Sequence, residues 1–207
     1  MNDMIELLTR TLCDLRPKNP TDGTYLYCQT RSNQQSIFQA AQFLLNNALT
    51  DKILLLDTKA KSGYPGFSEW KQNLHQLGLS AEQIGGVINK ETSMLNTLIE
   101  SEAVIRFAKQ HSYHSLFVVA PPFQQLRAFM TAVTVALREY PELLIYSHPG
   151  VAMSWQEEVK HSQGTLRAKR RDLIQEELAR IEKYQIKGDL ASPEQVLGYL
   201  NKRETVF

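Results

Sequence analysis

Thiols are scarce in this chain. Two cysteines, Cys13 and Cys28, stand in 207 residues. A disulfide framework or a zinc site needs more thiols, or a tighter spacing with histidines. Both cysteines therefore read as small buried apolar residues in a reducing compartment. Long apolar runs are also missing. None approaches the roughly 20 residues that cross a bilayer, so no membrane span is expected. Charge of one sign is lacking: 23 Lys and Arg face 22 Asp and Glu. A net charge of +1 gives no global field toward nucleic acid or anionic lipid, and no nucleic-acid partner is expected. The first residues carry Asp3 and Glu6 and no basic leader. They do not read as a signal peptide, and the expected compartment is the cytoplasm.

Several catalytic signatures are absent as well. Lys59 and Lys61 lie near Gly63, but the G-x-x-x-x-G-K-[ST] spacing of a P-loop is not there. No G-x-S-x-G elbow and no H-E-x-x-H pair occurs, so the common hydrolase routes lack support. His111 and His114 sit in a helix-to-strand turn without a third ligand, and no metal is expected.

What is present is alternation. Short apolar strands at 25–28, 53–56, 87–88, 116–120 and 143–146 are separated by helical patterns. That order predicts an α/β fold: an open, mainly parallel five-stranded Rossmann-like sheet with helices on both faces. Residues 2–15 read as an amphipathic helix on Ile5, Leu8, Leu12 and Leu15. Ser32 with Gln35 predicts a capped helix start, and Ser68 predicts another before Glu69 and Trp70. Gly85 and Gly86 read as stops before a brief third strand. The helix over 125–137 is apolar nearly all round, so another segment should cover its outer side. Residues 164–187 read as a helix, and Ser192-Pro193-Glu194-Gln195 opens a last one. The expected organisation is a Rossmann-like domain over 1–155 and a C-terminal helical appendage over 156–207 packed on it. The basic run Lys160, Arg167, Lys169, Arg170 and Arg171 is followed by Glu176, Glu177 and Glu182, which reads as a solvated helix face.

Open parallel sheets bind ligands beyond the carboxyl ends of their strands, at the switch point. The loops there are 29–35, 57–69, 89–97, 120–127 and 147–155. Arg127 suits a phosphate or carboxylate because its fork matches those groups, with pairing to Glu91 or Glu100 as the structural alternative. Asn96 and Thr97 serve a ligand or cap a helix. Glu69 and Glu91 are candidate general bases, or favourable charges at helix starts. Arg31 and Ser32 lie where free N–H groups welcome an anion. His148 is a further acid–base candidate. Trp155 is an aromatic wall or a packing anchor.

The order Glu91, Asn96-Thr97, a helix, an apolar strand, then Arg127-Ala128 resembles the central pattern of the YdcF/SanA/ElyC-like family, E-x-x-S-x-N-T followed by H-x-x-R-A. An earlier family element, a strand, a glycine-bearing loop and a Ser-Glu pair, is matched by 53–56, Gly63 and Ser68-Glu69. The resemblance covers residues 23–150. Met94 stands where the family has serine and Gln124 where it has histidine, and Gln29-Thr30-Arg31-Ser32 replaces its glycine-rich first turn. The resemblance implies a Rossmann-like fold and points to Gly63, Glu69, Glu91, Asn96, Thr97 and Arg127 as ligand-site residues; the loop positions Arg31, Ser32, Pro121 and Gln124 complete the expected ligand site. It implies a nucleotide-like or adenosyl ligand, S-adenosylmethionine included, beside the anionic small molecule that Arg127 suits. A transferase or hydrolase is one expectation. A sensor that keeps the fold without the chemistry is the other, because Gln124 cannot titrate.

Overall fold

A computed structural model describes residues 3–89, 94–161 and 164–205. Its main sheet has five parallel strands in the order β3-β2-β1-β4-β5: β1 (Gly23–Leu26), β2 (Ile53–Asp57), β3 (Ile84–Ile88), β4 (Ser115–Val119) and β5 (Leu144–Ser147). Parallel strands need long crossovers, and each connection here holds a helix. These are α2 (Gln34–Asn46), α3 (Phe67–Gln76), α4 (Thr97–Gln110) and α5 (Pro122–Glu139). The order reverses at β1: the chain moves outward through β2 and β3, then returns to β4 on the other side. With right-handed crossovers, that reversal puts α2 and α3 on one face and α4 and α5 on the other. Loops separate there and leave a crevice between the ends of β1 and β4.

The strands are apolar because both faces are covered. Residues 53–56 and 116–119 are all buried. The third strand is longer than its two apolar residues suggest. Gly85 and Gly86 lie inside β3 and do not stop a turn before it. A Cβ on Gly85 would come within 3.0 Å of the Leu54 side chain, so the missing side chain permits the close approach.

α5 is buried along the whole stretch from Phe123 to Ala136. Its outer side is covered by α1 (Asp3–Leu12), α6 (Arg170–Ile186) and α7 (Pro193–Glu204). Ile181, Leu190, Val196 and Leu200 join the same apolar core as the sheet. Each large aliphatic side chain buried there contributes about 1.5–3 kcal/mol. The capping box at Ser192 and Gln195 is present with both of its bonds.

Other expectations are corrected. α1 turns Leu7 and Thr11 inward, while Ile5, Leu8 and Leu15 are exposed. The reason lies at the sheet edge. Ser147 donates its hydroxyl to the Thr11 carbonyl, and Asp14 accepts from the Ser147 N–H. Arg203 donates to Asp14 and to the Ile145 carbonyl, and Tyr199 serves the Ile145 N–H and the Leu143 carbonyl. Polar groups thus close the open edge of β5, which would otherwise template pairing with another chain. Cys13 is exposed and not a buried thiol; Cys28 is half-buried as a residue and packs against the core. α2 starts at Gln34 after Asn33, and α3 starts at Phe67 after Gly66; neither Ser32 nor Ser68 is the cap.

The segment after β5 is not all helical. β6 (Glu158–His161) and β7 (Leu166–Lys169) pair as an antiparallel hairpin before α6 begins. Phe123, Val159 and Leu173 make a small second core under it, with Leu166 and Ala168 alongside. Arg170 is not on a solvated face. It is buried and donates to Asn33, to the Ser32 and Ser154 carbonyls and to Glu157.

Candidate functional site

The crevice between β1 and β4 opens into a cavity of about 270 Å³. Its floor is the end of β1 and the first turns of α4 and α5. Over it stand His161 from the end of β6 and Arg180, Lys183 and Tyr184 from α6. Thr30 and Asn33 both donate to the Lys160 carbonyl, which ties β6 over the first loop. A Cβ on Gly164 would lie 3.4 Å from the Gly63 Cα, so the residue that leads into β7 meets the β2–α3 loop. Ser62 in that loop accepts from the Leu95 N–H, fastening it to the start of α4.

Glu100 is the buried carboxyl of this cavity, 4% exposed on the first turn of α4. Its Oε2 accepts from the Cys28 N–H at 2.7 Å and from the Tyr25 hydroxyl at 3.1 Å. Burial pushes its pKa up to about 7, although those donors and the Arg127 charge favour the ionised form. A carboxyl poised there can give or take a proton near neutral pH. Burial, and then the Glu100 carboxylate, push the Cys28 thiol well above its ordinary range. It is therefore a thiol and not a thiolate nucleophile.

Arg127 is the buried cation. Its Nε donates to Glu177 Oε2 at 2.6 Å and its Nη1 to the Thr97 hydroxyl at 2.6 Å. Glu177 comes from α6 and is shared. Its Oε1 accepts from Arg180 at 2.8 Å and stands 3.1 Å from His161 Nε2. Burial would raise the Glu177 pKa, but Arg127 and His161 override it and hold the carboxyl down to about 2. The His161 ring is set edge-on against Phe123, with centroids 5.1 Å apart. Arg180, Lys183 and Tyr184 complete the wall from α6. A second cavity of about 80 Å³ lies against the same Asn96, Thr97, Arg127 and Tyr184.

Compared with protein-family models, curated proteins and solved structures, the chain matches none.

The predicted site residues divide into groups. Asn96, Thr97, Gln124 and Arg127 line the one cavity. Within it, Asn96 also caps α4 by accepting from the Ile99 N–H. Arg31 and Glu69 do not line it. They bind each other in a two-pronged exposed pair, at 2.7 and 2.6 Å, which holds the Glu69 carboxyl below its usual range. Glu69 is thus not the base of this cavity. Ser32 presents its carbonyl to Arg170, Gly63 lies between the lining residues Ser62 and Tyr64 without lining the cavity itself, and Pro121 adjoins a separate small recess with Trp155. His148 packs flat against Phe43 at 5.6 Å and is outside the cavity; burial, then Arg16, lower its pKa. Glu91 lies outside the described residues.

Glu100, His161, Glu177, Arg180 and Lys183 went unread as site residues. One signal existed for Glu177. It falls four residues from both Leu173 and Ile181, on the inward stripe of α6. A carboxylate inside an apolar stripe calls for a buried cation, and Arg127 is that cation.

Proposed function

We propose that this protein binds an anionic or nucleotide-like small molecule in the switch-point cavity, as a protein of the cytoplasm. One observation carries the reading. Arg127, Arg180 and His161 share a single carboxylate, Glu177, with Lys183 alongside. Glu177 cannot neutralise Arg127, Arg180 and Lys183 together, and Glu100 is half protonated near pH 7. Arg127 is buried, Arg180 half-buried and Lys183 exposed, and a ligand carrying negative charge supplies the balance. Phosphorylated compounds suit the guanidinium of Arg180 and the ammonium of Lys183. The resemblance to the YdcF-like pattern adds S-adenosylmethionine as a probe of the nucleotide-like alternative; its sulfonium and ammonium outweigh its carboxylate, so it does not supply the missing negative charge.

Glu100 supports an enzymatic role, transferase or hydrolase, because burial brings the pKa of this cavity carboxyl up to about 7. Gln124 favours a sensor that binds without turnover. A thermal-shift screen of pyrophosphate, nucleoside phosphates and S-adenosylmethionine tests the binding claim. A ligand at 100 times its Kd stabilises by about 2.7 kcal/mol. The stabilisation should vanish in the Arg180→Ala/Lys183→Ala double variant. If no anion stabilises the protein, or if the effect survives that variant, the reading is wrong. Turnover that Glu100→Gln abolishes while binding persists would select the enzyme over the sensor.

A further inference from the structure

Gln29 and Gln124 line the cavity without taking part in the charge cluster. They are 3% and 4% exposed. Gln29 follows the end of β1 and Gln124 opens α5, so the fold brings them together across the switch point. Gln29 Nε2 donates to Gln124 Oε1 at 2.8 Å and leans on the Tyr27 carbonyl at 3.5 Å. A backbone carbonyl only accepts, so the long Tyr27 contact favours the nitrogen end of the Gln29 amide on that side. That orientation decides Gln124 in turn: its oxygen faces Gln29 and its nitrogen lies on the other end.

Two amides closed on each other would show a second bond, from Gln124 Nε2 back to Gln29 Oε1. Among the described residues there is none, and neither atom is sealed away without a partner. The cavity wall therefore displays an acceptor, Gln29 Oε1, and a donor, Gln124 Nε2. They sit on two amides that are buried and joined to each other.

We propose that this amide pair reads the edge of a nucleobase, so that the ligand of the cavity is a nucleoside phosphate. The inference rests on the anion-binding reading of the same cavity. The base donates an N–H to Gln29 Oε1. Gln124 Nε2 donates to the carbonyl or ring nitrogen beside that N–H. Side-chain amides match base edges of this kind because both are planar with donor and acceptor side by side. The phosphate takes the Arg180 and Lys183 side. An anion without such an edge leaves both groups to water alone. Sites built on buried hydrogen-bonding groups discriminate strongly against ligands that lack the partner. A cavity of about 270 Å³ is near the lower end of small-molecule pockets, which suits a mononucleotide better than a larger cofactor.

The test is calorimetric titration of the intact protein with pyrophosphate, ribose 5-phosphate and the four common nucleoside 5′-monophosphates. At least one nucleotide should bind about tenfold or more tightly than ribose 5-phosphate. Full methylation of the base N–H groups should remove most of that gain, and this arm needs no protein variant. Gln29→Leu and Gln124→Leu should each bring the nucleotide down to the level of ribose 5-phosphate and leave ribose 5-phosphate itself unchanged. The proposal is overturned if all four nucleotides bind no better than ribose 5-phosphate. It is also overturned if the gain survives methylation and both substitutions. A protein that binds the phosphates but no base loses this inference alone; one that binds none of these compounds loses the anion site as well.

Discussion

Arg127 and Glu177 are 50 residues apart in the chain, and their Nε and Oε2 atoms are 2.6 Å apart in the fold. This buried pair joins α5, which carries one wall of the cavity, to α6, which carries another. Removing one partner strands a charge in the interior, whereas replacing both with apolar groups does not. Glu177→Ala should therefore destabilise the protein by about 3–5 kcal/mol in urea denaturation. Adding Arg127→Met should recover most of the loss. A single variant as stable as the parent would remove the pair from the stability of the fold.

Acid should expose the same carboxylate. Its pKa is lowered in the folded protein, from 4.5 to about 2. Its stabilisation is therefore complete above the unfolded value and is lost as pH falls from about 4.5 toward 2. The linkage amounts to about 3 kcal/mol for a shift of this size. Glu177→Gln should flatten that acid limb in denaturation curves taken at pH 5, 4 and 3. An unchanged limb would place the acid sensitivity elsewhere.

Glu100 runs the other way. Its folded pKa is raised to about 7, so the folded state holds the proton more tightly than the unfolded chain. Stability from this group is full below pH 4.5 and falls as pH rises through 7. Glu100→Gln removes the penalty and keeps an acceptor for the Cys28 N–H. The variant should be more stable than the parent by about 1–3 kcal/mol at pH 8 and equal to it near pH 4.5. A loss of stability at pH 8 would contradict this.

The edge of β5 offers a prediction away from the cavity. Tyr199→Phe leaves the Ile145 N–H and the Leu143 carbonyl without their partner. Buried groups left that way cost about 1–3 kcal/mol. The variant should also self-associate, because an open strand edge recruits further chains. Sedimentation at rising concentration checks it, and a monomeric variant of undiminished stability would refute it.

Much of this architecture is legible in the order of residues, and the exceptions share a cause. Runs such as Leu54-Leu55-Leu56 and Phe117-Val118-Val119 announce strands covered on both faces. The all-round apolar α5 announces that something must cover it, and α6, α7 and α1 do. The misreadings arise where polar residues occupy the inside. α1 buries Thr11 because its carbonyl serves the sheet edge, so the apolar stripe of Ile5 and Leu8 points the wrong way. β6 and β7 carry Glu158, Lys160, Arg167 and Lys169 on their outer face and read as a charged helix. In the cavity, Asn96, Thr97, Gln124 and Arg127 follow from the strand-then-helix grammar. His161 and Glu177 do not, because a tertiary contact between the C-terminal segment and the sheet brings them there.

The central claim is an anion site in the switch-point cavity with the Glu100 carboxyl in its wall, and pyrophosphate titration of the parent and of Glu100→Gln at pH 6 and pH 8 tests it most directly. Comparing the two proteins cancels the probe's own ionisation. At pH 6 the parent carboxyl is mostly protonated and the affinities should agree. At pH 8 it is ionised and repels the ligand, so Glu100→Gln should bind about tenfold more tightly. No binding by either protein, or an affinity ratio that does not change between the two pH values, would contradict the account.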